Sequence, residues 1–175
     1  MLIRTLNTKD KDAILTLGRK IFREEDEIPL LKKALKLCTL NLSLIALDGP
    51  DILGFTLVCT SKNHTNYYCD FIRQIPNCYE LAFLGISPKA QGKGLGTRLL
   101  KDTLMVIFQE SAKPFTCWLL VDTDNTRAIQ LYEKIGFRHW CETYPPITPV
   151  PGCIMGIHSR KLFKSNNNLN RNIPS

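Results

Sequence analysis

The chain has 175 residues, 44% hydrophobic and 22% charged, which fits one globular domain and excludes wholesale disorder. Lys and Arg number 23 against 16 Asp and Glu, a formal net charge of +7. That balance suits an anionic partner, while no run approaches the roughly 20 apolar residues of a membrane span, so no membrane partner is expected.

Residues 1–6 read as a short strand and lack the apolar stretch and cleavage site of a secretory signal. The cytoplasm is the expected compartment, with the nucleus left open. Asn7 or Thr8 caps a helix running to about Phe22, with Ile14, Leu17 and Ile21 on one face. After the acidic run Glu24-Glu25-Asp26-Glu27, a second helix starts near Pro29, with Leu31, Ala34, Leu35 and Cys38 as its stripe. Ser43–Leu47 and Ile52–Thr60 read as strands joined by the turn Asp48-Gly49-Pro50-Asp51. Residues 61–77 take no assignment; connections of that length in compact domains are often functional.

Tyr79–Ser87 is a strand ended by Pro88. Gln91-Gly92-Lys93-Gly94-Leu95-Gly96 opens a helix to about Glu110, with Leu99, Leu100, Leu104 and Ile107 as its buried face. Phe115–Asp122 is a strand. The next helix carries Ala128, Leu131, Tyr132 and Ile135 and ends at Gly136, a left-handed cap. Phe137–Tyr144 and Cys153–Phe163 are the last strands, around a stiff loop with four prolines in 145–152. The Asn-rich tail, 164–175, is expected to be disordered. The element order predicts an α/β (α+β) fold, a mixed sheet with helices on both faces, in one domain over residues 1–163.

Seven cysteines (Cys38, Cys59, Cys69, Cys78, Cys117, Cys141 and Cys153) cannot all pair, form no C-x-x-C, and have no histidine at ligand spacing. Reduced, mostly buried thiols and no metal are expected. His139 and His158 read as structural.

A strand, a Gly-rich turn and a helix start make an anion site, because backbone N–H groups converge where the helix dipole favours negative charge. The P-loop pattern fails, since Ser87 stands five places before Gly92 and Leu95 follows Gly94. The dinucleotide pattern fails at Thr97. Q/R-x-x-G-x-G/A fits, met by Gln91, Gly94 and Gly96. This resembles the acetyl-CoA-binding motif of the GNAT superfamily of N-acetyltransferases. Upstream, Glu80-Leu81-Ala82-Phe83-Leu84-Gly85-Ile86-Ser87-Pro88 is similar to that family's fourth strand and its exit. Downstream, residues 125–137 match its N-x-x-A-x-x-L-Y-x-x-x-G-F helix. The first helix pair and the last two strands agree in pattern only.

The resemblance implies a mostly antiparallel sheet of six to seven strands and acetyl-CoA as co-substrate, without a metal. It implies direct transfer of the acetyl group to a primary amine: a protein or peptide lysine, a peptide N-terminus or a small amine. The cofactor-binding residues it implies are Leu84, Gly85, Ile86, Gln91, Gly92, Lys93, Gly94, Leu95, Gly96, Thr97, Asn125 and Tyr132. The Leu84 N–H would stabilise the oxyanion, Glu80 would be the base and Tyr132 the acid. One or two of Lys89, Lys93, Arg98 and Lys101 would meet the 3′-phosphate.

Each residue also has a plainer reading. Glu80 can be a solvated strand start, Tyr132 a core ring and Asn125 a helix cap. Strict alternation puts Glu80, Ala82, Leu84 and Ile86 on one face and Leu81, Phe83 and Gly85 on the other, with Gly85 allowing a bulge or a close backbone approach. Substrate contacts are expected at 61–77 and 145–152. The alternative function is a catalytically inactive acetyl-CoA-binding sensor. Nucleic acid is not expected as a partner, since no basic run is present; the chain would be a monomer or homodimer.

Overall fold

Seven strands form one sheet in the order β1-β2-β3-β4-β5-β7-β6. They are β1 (Leu2–Thr5), β2 (Leu44–Asp48), β3 (Asp51–Thr60), β4 (Cys78–Ile86), β5 (Thr116–Asp122), β6 (Arg138–Thr143) and β7 (Gly152–His158). Every neighbouring pair is antiparallel except β4 with β5. The computed structural model describes residues 1–60, 72, 74–111, 114–145 and 147–164. Residues 165–175 of the tail expected to be disordered from 164, and 61–71, 73 and 146 of the expected contact stretches, lie outside these residues, while Lys164 closes a helix.

Helices cover both faces. Helix α1 (Lys11–Gly18) and helix α2 (Glu27–Leu37) bury Ile14, Leu17, Ile28, Leu31, Ala34 and Leu35 against Phe55 and Leu57 of β3. On the other face α3 (Leu95–Glu110) and α4 (Thr126–Ile135) pack Leu100, Leu104, Ile107 and Tyr132 against Val58, Leu81, Leu119 and Val121. These are the stripes that the 3.6-residue period dictates.

The sequence places some boundaries differently. Asn7 caps a 3-10 turn (Thr8–Asp10), accepting from the Lys9 N–H, and Asp10 closes the box by accepting from the Asn7 N–H. The following helix stops at Gly18 rather than near Phe22. A side chain at Gly18 would collide with Leu31, so glycine lets α2 close onto α1 there. Helix α2 starts at Glu27, ahead of Pro29, whose missing N–H still falls in the first turn. The last strand ends at His158, not Phe163, and α5 (Ser159–Lys164) follows. Buried Ser159 fixes that change, since its N–H donates to the Phe115 carbonyl and its Oγ accepts from the Phe115 N–H.

Strand β4 carries the feature that shapes the site. Leu57 opposes Phe83 and Val58 opposes Leu81, so Ala82 is an extra residue, a β-bulge. The strict alternation read from the sequence therefore breaks. Leu81, Leu84 and Ile86 pack toward α3, and Ala82 and Phe83 toward α1 and α2.

Candidate active site

Strands β4 and β5 pair over only three positions, from Cys78 with Thr116 to Glu80 with Trp118. Beyond them the strands diverge around a cleft of about 640 Å³. Leu84, Gly85, Ile86, Gln91, Gly92, Gly94, Leu95, Gly96, Thr97, Asn125 and Tyr132 all line it, so one cavity gathers every expected cofactor residue except Lys93. The Lys93 Nζ donates instead to the Lys89 carbonyl at 3.0 Å.

The bulge sets which backbone groups face the cleft. The Ser87 N–H donates to the Leu53 carbonyl at 2.9 Å, toward β3. A strand residue points its N–H and C=O to the same side, and successive residues alternate. Gly85 thus faces β3, while Leu84 and Ile86 turn their polar groups toward the splayed side. The Ile86 carbonyl accepts from Gln91 Nε2 at 3.1 Å. A sheet edge opened inside a protein leaves groups that need partners. Gly85 is not the bulge but the close approach. A Cβ there would lie 2.6 Å from Phe55 Cε1 and 2.9 Å from Ile21 Cδ1.

At the other end, Gly94 caps α3 at φ +78° and Gly92 stands at φ +75°; a Cβ at either would meet nothing within 4 Å. No side chain caps this helix and no acid lies in its first turn, so free N–H groups front open space. Gly96 serves packing, since a Cβ there would lie 3.1 Å from Leu131 Cδ1 of α4.

Three of the four cations considered for the 3′-phosphate lie beside the cleft rather than in its wall. Lys89, Lys93 and Arg98 line a separate pocket of about 420 Å³ across the α3 start. Lys89 pairs with Asp51 and Arg98 with Asp102. The cations that do line the cleft are Arg127 and Lys134, and the Arg127 Nη1 donates to Gln91 Oε1 at 3.3 Å. Arg127 occupies a variable position of the α4 motif, so the motif did not point to it.

Tyr132 is 8% exposed and stacks obliquely on Phe137, with ring centroids 5.8 Å apart. Burial pushes its phenol well above the usual range, with Cys117 adding to the shift. It therefore stays protonated. Asn125 is a cap as well as a cleft residue, its Oδ1 accepting from the Ala128 N–H at 3.2 Å.

Glu80 is no solvated strand start. It is 1% exposed, paired in register with Cys59 and Trp118. It lines a second pocket of about 80 Å³, bounded by Arg23, Asp26, Glu27 and Asp122 and by Thr148, Pro149 and Val150 of the Pro-rich loop. His139 and His158 are exposed, and the His158 Nδ1 accepts from the Arg160 N–H. Burial raises the Cys59 and Cys117 thiols and pushes Cys78 up to about 12, so these behave as inert apolar groups. Among the described residues no group of His, Cys, Asp or Glu could hold a metal ion, and no helix is long and apolar enough to cross a membrane.

The same architecture occurs in solved structures. The ribosomal-protein-S18-alanine N-acetyltransferase from Escherichia coli superposes with a TM-score of 0.68 at 19% identity, over 90% of this chain and 92% of that one. A chain of the NatC complex bound to Gag peptide and CoA gives 0.69 at 16% identity, over 89% and 96%. Among curated relatives, a mycothiol acetyltransferase from Acidothermus cellulolyticus is 46% identical over 61 residues, 35% of this chain and 18% of that protein. The N-alpha-acetyltransferase RimI from Mycobacterium tuberculosis is 38% identical over 66 residues, 38% of this chain and 39% of that protein. The matches thus span less than half the length of these relatives. The Acetyltransferase (GNAT) family model matches residues 12–137, from α1 to the residue before β6. The chain belongs to the acetyltransferase (GNAT) family.

Proposed function

We propose that this protein transfers an acetyl group from acetyl-CoA to a primary amine of a peptide, protein or small molecule. The observation that carries this reading is the continuity of one cleft, from the opened edge at Leu84 and Ile86 to the bare, glycine-capped start of α3. The fit to acetyl-CoA is chemical. A pantetheine arm carries amides suited to an unpaired strand edge, and a pyrophosphate suits free N–H groups at a helix start. Leu84, Gly85 and Ile86 would hold the arm. Gln91, Gly92, Gly94, Leu95, Gly96 and Thr97 would form the phosphate cradle, with Arg127 and Asn125 at its rim; Lys93 belongs to that turn but points away.

Bound there, acetyl-CoA supplies an activated acyl group. The Leu84 N–H would donate to the oxygen that gains charge in the transition state. Tyr132 would hold the proton needed by the departing sulfur, and its raised phenol keeps that proton until it is called for. The acceptor would enter from the smaller pocket, where Glu80 is the carboxylate that the sequence motif nominates as base. The relatives' names support an acetyltransferase, and both curated ones carry it in their names.

Mass spectrometry after incubation with acetyl-CoA and a panel of peptides, spermidine and phenethylamine tests the proposal. Expected is an acetyl adduct on at least one amine, dependent on acetyl-CoA. Tight acetyl-CoA binding with no product from any amine overturns transfer and leaves a binding module.

A further inference from the structure

The large cleft and the smaller acceptor pocket share part of their walls: Glu27, Ala82, Phe83, Leu120 and Asp122 line both. Two of these carry carboxylates, and they are not equivalent. Asp122 Oδ2 accepts from Arg23 Nη1 at 2.7 Å. Asp26 accepts from Arg23 Nε and Nη2, the latter at 2.9 Å. The guanidinium is thus engaged on both sides by other acids. Glu27 is left with the Arg23 backbone N–H on Oε2 at 2.8 Å, and its Oε2 lies 3.7 Å from Arg23 Nε.

We infer that Glu27 meets the acceptor amine at the junction of the two cavities and takes its proton, with Glu80 buried behind it. The inference rests on the acetyl-transfer reading above and assigns that reading's base. Position separates the two carboxylates. Glu80 is 1% exposed and lines only the smaller pocket, whereas the Glu27 side chain is 27% exposed and lines both. An amine must approach the cleft to reach an acyl group held there, and of the two glutamates only Glu27 stands on that path.

The electrostatics support the geometry. Burial raises the Glu27 carboxyl from its ordinary value, and Asp122 and Asp26 also push it up. The Arg23 N–H and guanidinium oppose them. The charged groups around it are Arg23 and Asp26 from the loop before α2, Asp122 from β5 and Glu80 from β4. A more basic carboxylate is a better acceptor for an ammonium proton.

The step balances. An ammonium N–H bond breaks and an O–H bond forms on Glu27. The freed lone pair makes the C–N bond as the C–S bond breaks. The sulfur leaves with the pair of the broken C–S bond and takes a proton from Tyr132, which the second amine proton replaces. Glu27 then releases its proton to solvent.

The test uses the full chain, acetyl-CoA, and phenethylamine, spermidine and an alanine peptide with a free N-terminus. Glu27→Gln should lower kcat by roughly 10²–10⁴-fold near neutral pH while acetyl-CoA affinity is retained. The loss should shrink as pH rises and free amine accumulates, so the acid limb of the kcat/KM profile should move from its wild-type position to the pKa of the amine. If Glu27→Gln does not fold, Glu27→Asp carries the test, with reduced kcat and a displaced acid limb expected. A folded Glu27 variant with wild-type turnover and profile overturns the inference. So does displacement of the acid limb by Glu80→Gln while Glu27→Gln leaves it in place. If wild type acetylates none of the three probes, the acetyl-transfer reading falls, and this inference with it. Product from wild type with a silent Glu27 sinks the inference alone.

Discussion

Tyr132 carries one oxygen that packing does not need. Its ring packs on Phe137 within the core under α3 and α4, and the residue also lines the cleft. Tyr132→Phe should therefore leave the melting temperature nearly unchanged and retain acetyl-CoA binding, yet lower turnover by roughly 10²–10⁴-fold. High pH should not rescue it if the missing group is the proposed donor to the leaving sulfur. Steady-state rates at several pH values check this, and full turnover with chemistry rate-limiting would make the residue a core ring only. Gly94 offers the complementary case. Its φ of +78° is what glycine supplies, and no neighbour would touch a Cβ. Gly94→Ala should cost about 1–2 kcal/mol through backbone strain alone. Gly94→Glu adds a carboxylate before the helix start and should weaken acetyl-CoA binding at least about tenfold. Chemical denaturation and calorimetry separate the two effects, and equal affinity in both variants would move the phosphate site elsewhere.

At the scale of elements, the helices and most strands were legible because their signals are local. The stripe of α3 and the glycine that ends α4 at φ +115° are readable residue by residue. The β4 bulge was not legible, since an inserted residue leaves no mark on an apolar run such as Leu81-Ala82-Phe83-Leu84, where both faces are covered. It takes the partner strand to show that Ala82 has no opposite number. The error was not cosmetic: alternation put Glu80 with Leu84, when the extra residue sends them to different sides of the sheet. The reason for glycine at position 18 was lost in the same way, because Leu31, which a side chain there would strike, belongs to another helix. The capping box before α1 shows what a local signal predicts. Arg4 Nη1 and Nη2 donate to Asp10 at 2.7 and 2.8 Å, tying β1 to the helix start. The Arg4 guanidinium holds the Asp10 carboxyl below its ordinary value, burial opposing and the Asn7 N–H assisting. A lowered folded pKa gives stability that is present above the unfolded value and is lost as pH falls through the folded one. Asp10→Asn should thus lower stability by about 1 kcal/mol at neutral pH. Melting curves from pH 7 down to about 3 should show that gap narrowing from about pH 4 downward. A gap independent of pH would show that the cap geometry matters and the charge does not.

Across the whole molecule, the sheet is two half-sheets, β1–β4 and β5–β7–β6, joined by the three-residue parallel contact of β4 with β5. The sequence motifs pointed to the cleft's chemistry, since Gln91, Gly94 and Tyr132 can be recognised one at a time. Arg127, Glu27 and the Arg23 cluster could not be found that way, because they converge from α4, α2, β5 and the loop before α2 only once the halves are assembled. This organisation makes a prediction that a merely surface-bound ligand would not. A cofactor lying between the halves would complete the interrupted sheet from the Leu84 and Ile86 side. Hydrogen exchange measured amide by amide should then show an alternating pattern. In the free protein the Leu84 and Ile86 amides should exchange faster than that of Gly85, which faces β3. Adding coenzyme A should slow Leu84 and Ile86 most, with smaller effects on the first turn of α3. The global melting free energy should rise with ligand concentration by about 2.7 kcal/mol at a hundredfold excess over Kd. Protection confined to the α3 turn, with Leu84 and Ile86 unchanged, would mean that only the phosphate end is held and that the opened strand edge has another purpose.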